Sequence, residues 1–447
     1  MSQELPRSVR VGYGLGSVAT GAFGTVPGLL LLPYLTDTLG VAAAVAGVIV
    51  FLPKAWDVLL NPVAGRISDR HVSPAGPRRP FLLRAGGALA VCFALLFAGP
   101  DLGSSAADAS YVVVAFLACA TAYAFFQVPF VAMPAEMTAS YDERTRLLSW
   151  RVALLALAIL VSGALSPMIR DAVGGREGYR VMGLFVAALI LLGTVGAYVG
   201  TRRAPVGAVV AAGGSMTDQL RVVAASRDFR MLLATFVVQA LAVGAMLAGV
   251  DYMSRQVLER PGAATILFVC FVGPALLLTP GWAALGTRVG KKRGYLLASL
   301  FLAGGALLLV GAPVFPVSVV YLATGLVGVG YAGAQVFPLS MLPDTAAVHA
   351  SRTGENRAGV FTGVWTAGET LGLALGPGLF ALMLAMGGYV SSTAGDATQP
   401  ASAITAITLG FSLLPAALTL LSLVWLSRYS LTADDVAAAT TERSPRV

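Results

Sequence analysis

Residues 41–70 read VAAAVAGVIVFLPKAWDVLLNPVAGRISDR. Most of this segment is apolar, over the roughly 20 residues that a helix needs to cross a bilayer, and a short basic loop follows it. One carboxylate, Asp57, lies inside the apolar part. An acidic side chain at membrane depth costs several kcal/mol unless it is paired, protonated or bound to a cation. Asp57 is therefore the first candidate for a functional residue.

The composition extends the membrane interpretation to the whole chain. Of the 447 residues, 57% are hydrophobic and only 12% are charged, whereas soluble domains carry about 25% charged residues. The net charge of +8 comes from basic residues in many short loops, without a basic stripe that has interleaved aromatic residues. We interpret it as a topology signal, and we expect a lipid bilayer and no nucleic acid as partners.

Apolar segments of membrane-spanning length predict an all-α membrane protein with twelve transmembrane helices in two pseudo-symmetric six-helix halves. The segments begin near Val11, Val41, Phe81, Tyr111, Leu147, Tyr179, Phe229, Ala263, Gly294, Val317, Arg357 and Ser402. We expect an N-terminal bundle (residues 1–201), a cytoplasmic linker (202–228) and a C-terminal bundle with a short cytoplasmic tail (229–447). Lys and Arg concentrate in alternate loops, which predicts a multi-pass protein of the inner membrane with both termini in the cytoplasm.

Two loops at equivalent places in the halves resemble each other. Residues 65–70 read GRISDR and residues 286–293 read GTRVGKKR, and both loops are short, basic and contain glycine. Such an internal repeat is typical of transporters built from related halves. The alternative is that both loops are basic only because they face the cytoplasm.

Four motifs carry a resemblance to a known family. Residues 65–70 resemble the G-x-x-x-D-R signature of the major facilitator superfamily, and residues 56–62, WDVLLNP, resemble the second helix of its glycoside–pentoside–hexuronide:cation symporters. Residues 129–151 and 343–360 resemble the helix 4–5 and helix 10–11 junctions of the same family. The motifs follow in order across nearly the whole chain, so the resemblance implies the major facilitator fold.

The resemblance also implies a cation-coupling site. The family binds its coupling cation at the position of Asp57, and a second acid follows four residues later, where this chain has Asn61. The loss of that acid favours H⁺ over Na⁺, because a proton needs one carboxylate whereas Na⁺ prefers several oxygen ligands. We expect no cofactor other than the coupling ion and no metal other than Na⁺ at Asp57. Glu369 is included in the coupling set.

The substrate site implied by the family is altered in this chain. Arg151 occupies the place of a glycoside-binding arginine, but its partner carboxylate is replaced by Gln127 and a charged residue of helix one by Thr20. Glu369 stands where family members carry lysine, and it could pair with Arg151 or Lys54, carry a proton or contact a cationic substrate. The full expected set is Thr20, Tyr123, Gln127, Arg151, Trp365 and Glu369.

Lys54 and Asp57 share a helix face, so an ion pair between them is an alternative to a cation site. A second group of charged residues lies at predicted cytoplasmic helix ends, where ion pairs could change partners between conformations. These expected gating residues are Asp69, Arg70, Glu136, Asp142, Glu143, Arg144 and Arg146. The alternative is that they are solvated helix ends.

The predicted function is secondary active transport by a monomer, namely symport of a small organic solute with H⁺ or Na⁺ by alternating access. The family implies a glycoside as the solute. A lysolipid or an amphipathic, drug-like solute is the first alternative, because the sugar-binding polar residues are depleted. A sensor or scaffold that does not transport is the second. An enzyme is not expected, because the chain contains no H-E-x-x-H motif, Ser/His/Asp set or Walker loop.

Overall fold

The computed structural model describes residues 4–71, 78–138, 140–205, 224, 226–260, 262–353, 358–393, 397–432, 434–436 and 438, without the side chains of Val58, Ala135, Tyr141, Asp142 and Ala358. Every regular element in these ranges is a helix. Twelve helical segments among them are long and apolar enough to cross a membrane. The predicted all-α fold with twelve spans is therefore confirmed. The predicted linker, residues 202–228, lies mostly outside the described residues.

The chain divides into two compact units, and the first comprises Met1–Ala212 together with Gly388–Pro400. It contains six long helices: α1 (Arg7–Asp37), α2 (Ala43–Arg70), α3 (Arg79–Phe97), α4 (Ser105–Met137), α5 (Tyr141–Val173) and α6 (Gly175–Thr201). Helix α1 packs along α5 and α6, while α4 packs along α2 and α3. Side-chain caps begin two of the helices, since Ser104 accepts a hydrogen bond from the amide of Ala107, and Ser140 from that of Glu143.

Small residues allow the helices of the first unit to approach closely. A Cβ atom on Gly12 of α1 would collide with the backbone of Gly200 of α6, and a Cβ atom on Gly200 would collide with Gly12. Small residues at membrane-helix interfaces permit such backbone contact, which dispersion forces then stabilise. This packing fixes α1, which carries one of the expected substrate residues, against its neighbours.

The second unit comprises Gly213–Gly387 and Ala401–Val447. Its α-helices are α7 (Arg227–Tyr252), α8 (Ala263–Val289), α9 (Lys291–Leu308), α10 (Val317–Thr353), α11 (Ala358–Met386), α12 (Ala401–Phe411) and α13 (Leu413–Arg428). A π-helical turn, Met253–Val257, extends α7, and α12 with α13 forms one span that is interrupted at Ser412. Helix α7 packs against α11 and α13, and α10 packs against α8 and α9.

Candidate functional site

The carboxylate of Asp57 lies buried on α2, with 7% of the residue exposed. Its Oδ1 atom has no hydrogen-bond partner, and no ion pair to Asp57 is formed by any residue that the structure describes. Pro62 has no N–H, so the carbonyl of residue 58, next to Asp57, lacks its helical partner. Asn61, one turn after Asp57, is partly buried. This part of α2 therefore presents oxygen atoms that can accept a proton or a cation.

Lys54 and Asp57 form no direct ion pair. The Nζ atom of Lys54 lies 4.9 Å from the centre of the Phe23 ring, which belongs to α1, and it forms no ion pair with Asp57. The structure therefore does not show the direct ion pair that is the alternative to a cation site. The lysine ammonium is stabilised instead by the electrons of an aromatic ring. Phe23, which the motifs did not single out, lies three residues after Thr20.

Three expected substrate residues lie close together on α1 and α4. The hydroxyl of Thr20 donates a 2.7 Å hydrogen bond to Oε1 of Gln127. The ring of Tyr123, one turn before Gln127 on α4, lies 4.6 Å from the ring of Phe23, centre to centre. Phe23 thus contacts both Tyr123 and Lys54. The first unit places hydroxyl, amide, aromatic and ammonium groups in one cluster.

Arg151, on α5, lies over an aromatic ring. Its guanidinium carbon is 5.6 Å from the centre of the Phe130 ring, and Tyr13 stacks on that ring at 4.7 Å. A Cβ atom on Gly16 would collide with Phe130, so the glycine makes room for this ring. Within the described residues of the first unit, no carboxylate forms an ion pair with Arg151. Its positive charge is available to an anionic group.

A further contact, not foreseen from the sequence, joins α2 to α4 near Asp57. Nε1 of Trp56 donates a 3.1 Å hydrogen bond to Oγ1 of Thr121, whose hydroxyl in turn donates to the carbonyl of Leu117. The Thr121 hydroxyl can accept from Trp56 because its own proton is used on α4. This bond fixes the residue that precedes Asp57.

The remaining expected residues, Trp365 and Glu369, lie on α11 of the second unit. Trp365 is buried and stacks on Phe236 at 4.3 Å, within the hydrophobic core of this unit. Glu369, one turn later, lines a pocket together with polar side chains from α7 and α10. No residue described in the second unit forms an ion pair with Glu369.

The expected gating residues separate into two ion-pair clusters. In the first, Arg78 donates to Asp69 at 2.7 Å, to Glu136 and, weakly, to Ser68. This arginine, which is not in the gating set expected from the sequence, joins the ends of α2, α3 and α4.

The second cluster surrounds Glu143 at the start of α5. Glu143 accepts hydrogen bonds from Arg10 at 2.9 Å, from Arg146 at 3.0 Å and from the amide of Leu5 at 3.2 Å. The guanidinium of Arg144 instead donates to the carbonyl of Thr138. Arg70 is exposed, and the side chain of Asp142 lies outside the described residues.

The chain is similar to known transport proteins over almost its whole length. Residues 12–433 match the model of a family described as MFS/sugar transport protein. The glucuronide carrier protein homolog of Escherichia coli (strain K12) is 26% identical over 438 residues, which cover 97% of this chain and 94% of the relative. The inner membrane symporter YicJ of the same strain is 24% identical over 436 residues, which cover 96% and 92%. These matches confirm the resemblance carried by the four motifs.

A solved structure supports the fold. The crystal structure of a bacterial homologue of the human lysosomal transporter Spinster, in an inward-facing and unoccupied conformation, has a TM-score of 0.69 with this chain. The match covers 98% of both chains at 12% sequence identity, so it bears on the fold alone. The expected major facilitator fold is confirmed.

Proposed function

The chain belongs to the MFS/sugar transport protein family, and from that premise we propose that it carries a sugar-like solute in symport with H⁺ or Na⁺ bound at Asp57. It is a multi-pass membrane transporter for a small molecule and not an enzyme. The observation that carries the proposal is the buried Asp57 carboxylate, whose Oδ1 has no hydrogen-bond partner among the described residues.

The coupling role follows from the free-energy cost of burying that carboxylate in its ionised form. An ionised carboxylate buried without a partner is unfavourable, and a proton or a Na⁺ ion removes the net charge. Asn61 and the free carbonyl of residue 58 supply further oxygen atoms for Na⁺. A conformation that buries Asp57 will therefore be more populated when the cation is bound, which links cation binding to alternating access. Glu369 is a second carboxylate of the proposed coupling set.

The proposed substrate residues suit a sugar-like solute. Thr20 and Gln127 offer hydroxyl and amide groups to sugar hydroxyls, and Tyr123 offers an aromatic face. Arg151 offers an unpaired positive charge to a carboxylate on the solute. A glycoside that carries an acidic group, such as a glucuronide, is therefore the substrate class that this set favours. Trp365, the proposed aromatic substrate residue of the second unit, stacks on Phe236.

The two ion-pair clusters are the proposed gate elements. Charge pairs at helix ends stabilise one conformation and must exchange partners in another. Arg78 with Asp69 and Glu136 forms one such element, and Glu143 with Arg10 and Arg146 forms the other. Arg70, Asp142 and Arg144 complete the proposed gating set.

The proposed arrangement in the cell is a monomer in the inner membrane with both termini in the cytoplasm. The alternating concentration of Lys and Arg in the loops supports this orientation. The two halves, residues 1–201 and 229–447, move during alternating access, and residues 202–228 link them. Nucleic acid has no proposed role.

The test is transport in proteoliposomes with an inward pH gradient or an inward Na⁺ gradient, imposed separately, and a labelled glucuronide as solute. For the unmodified protein, we expect accumulation above equilibrium with one of the two gradients. Asp57→Asn should abolish this accumulation but retain exchange of the solute at equal concentrations, because only the cation site is lost. The matched control is Asp101→Asn, which changes an aspartate whose side chain is 78% exposed.

Accumulation by Asp57→Asn equal to that of Asp101→Asn would contradict the coupling role. Accumulation of lysolipids but of no glycoside would contradict the substrate class. No transport of either solute by the unmodified protein would favour a sensor or scaffold.

A further inference from the structure

Gln239 is a lone amide within the apolar helix α7, and only 2% of the residue is exposed. Its Nε2 atom donates two hydrogen bonds of 2.9 Å, one to Oγ of Ser299 on α9 and one to Oγ of Ser422 on α13. Both hydroxyls are buried. Gln239 therefore holds three helices of the second unit together.

The two serines fix the orientation of this amide. Ser299 donates its hydroxyl proton to the carbonyl of Tyr295 at 2.8 Å, and Ser422 donates to the carbonyl of Thr419 at 2.6 Å. Each hydroxyl has only one proton, so toward Gln239 both can only accept. The NH₂ group must face the serines, and Oε1 must face away from them. This oxygen is buried and has no donor among the described residues.

Oε1 of Gln239 is not the only acceptor in its surroundings. Gln239 and Glu369 line the same pocket of about 20 Å³, to which Tyr331 and Gln335 also contribute. Such a volume holds one particle of the size of a water molecule. The other lining residues are Phe236, Ala240, Val243, Ala334 and Leu373, which are apolar. An amide and a carboxylate thus line the same small pocket. Most of the other lining residues are apolar and solvate a negative charge poorly.

We propose that this pocket is a binding site for one monovalent cation of about the size of Na⁺, held by Oε1 of Gln239 and the carboxylate of Glu369. Hard cations prefer oxygen ligands, and the side chains of Tyr331 and Gln335, which line the same pocket, also contain oxygen atoms. A single carboxylate balances one positive charge, whereas a divalent ion would leave a net charge in apolar surroundings. The site adds a second ion to the proposed transport cycle, but its existence does not depend on the role of Asp57.

The experiment measures thermal unfolding of the purified full-length protein that carries Asp57→Asn, so that Na⁺ bound at Asp57 cannot contribute. NaCl is compared with N-methyl-D-glucamine chloride at the same ionic strength and pH, because that organic cation is too large for the pocket. We expect NaCl to raise the Tm by about 2 °C or more at saturation. Adding Glu369→Gln or Gln239→Leu should abolish the rise.

The matched control is Thr324→Val, which removes a buried hydroxyl of α10 that donates to the carbonyl of Val320 in its own helix and does not line the pocket. It should keep the Na⁺-dependent rise. If Gln239→Leu does not fold, binding of ²²Na⁺ by Asp57→Asn with and without Glu369→Gln decides the question, since bound Na⁺ should fall to background. An equal Na⁺ effect with and without Glu369→Gln, or no rise of the Tm by NaCl in Asp57→Asn itself, would overturn the proposal. Failure of the coupling role of Asp57 would leave this result unchanged.

Discussion

Thr20 and Gln127 form a hydrogen bond of 2.7 Å that joins α1 to α4, with the threonine hydroxyl as donor and Oε1 of the glutamine as acceptor. The bond uses the acceptor of the amide and leaves its NH₂ group as a donor for a bound solute. Because the two residues orient each other, their effects on substrate binding should depend on each other.

We therefore predict that Gln127→Leu raises the KM for the transported glycoside by about 5–10-fold, since hydrogen bonds of this kind contribute about 1–1.5 kcal/mol. Thr20→Val should raise KM less, and the double variant should resemble Gln127→Leu alone. Initial rates of uptake over a range of solute concentrations give the three values. Independent, multiplying effects of the two changes would show that the bond has no role in orienting the glutamine.

The position of Lys54 leads to a prediction about cation affinity. Its ammonium lies on Phe23 and does not pair with Asp57, but it remains one turn away on the same helix. A positive charge at this distance opposes binding of a proton or Na⁺ at Asp57. Lys54→Met should therefore lower the cation concentration that half-activates transport by several-fold.

The control for this prediction is Lys54→Arg, which keeps the positive charge and should keep the half-activating concentration close to that of the unmodified protein. The measurement is the rate of solute uptake against external pH or Na⁺ concentration. A half-activating concentration that rises in Lys54→Met would mean that the lysine supports the cation site.

The sequence predicts the fold well because the bilayer leaves few alternatives. A chain with this many long apolar segments must satisfy its backbone hydrogen bonds within helices, so composition alone specifies an all-α structure. The four motifs then identify the family. The proximity of Thr20, Tyr123 and Gln127 was also expected, but only through the resemblance, because nothing in the spacing of α1 and α4 residues shows which helices become neighbours.

The contacts that the sequence did not predict arise from tertiary packing, which brings together residues from different helices. Residues three apart on a helix can meet, but α1 supplies the Phe23 ring that attracts Lys54, and this tertiary contact overrides the local pair with Asp57. The expected gating set does not include Arg78, because its partners Asp69 and Glu136 come close to it only after folding. Gln239 left one visible signal, a lone amide in an apolar segment, which membrane helices tolerate only with partners.

Arg78 should be the most important residue of its cluster for stability. The side chains of Arg78 and Glu136 are 6% and 7% exposed, and Asp69 also pairs with the arginine. Arg78→Met would leave a buried carboxylate without its partner, which destabilises folded proteins by about 3 kcal/mol or more. Unfolding of the purified variant in detergent, followed by heat or denaturant, measures the loss.

Arg144→Met is the comparison for that measurement, because Arg144 is exposed and makes one hydrogen bond to the carbonyl of Thr138. It should change the free energy of unfolding by less than about 0.5 kcal/mol. Similar losses for the two variants would show that the burial of the Arg78 cluster contributes little.

The segment that joins α11 to α12 should be held to the first unit by its tyrosine. Residues 388–400 belong to that unit, where the hydroxyl of Tyr389 donates a 2.8 Å hydrogen bond to Asp37 and the amide of Ser392 donates a 2.9 Å bond to the carbonyl of Thr36. Tyr389→Phe removes a bond to a carboxylate, which contributes about 1.5 kcal/mol, so local opening should become about tenfold more frequent. Hydrogen exchange at the Ser392 amide measures this opening directly.

Ser391→Ala is the control, because its hydroxyl has no partner among the described residues, and exchange should stay unchanged. Equal exchange in both variants would mean that the backbone bonds hold the segment without the tyrosine.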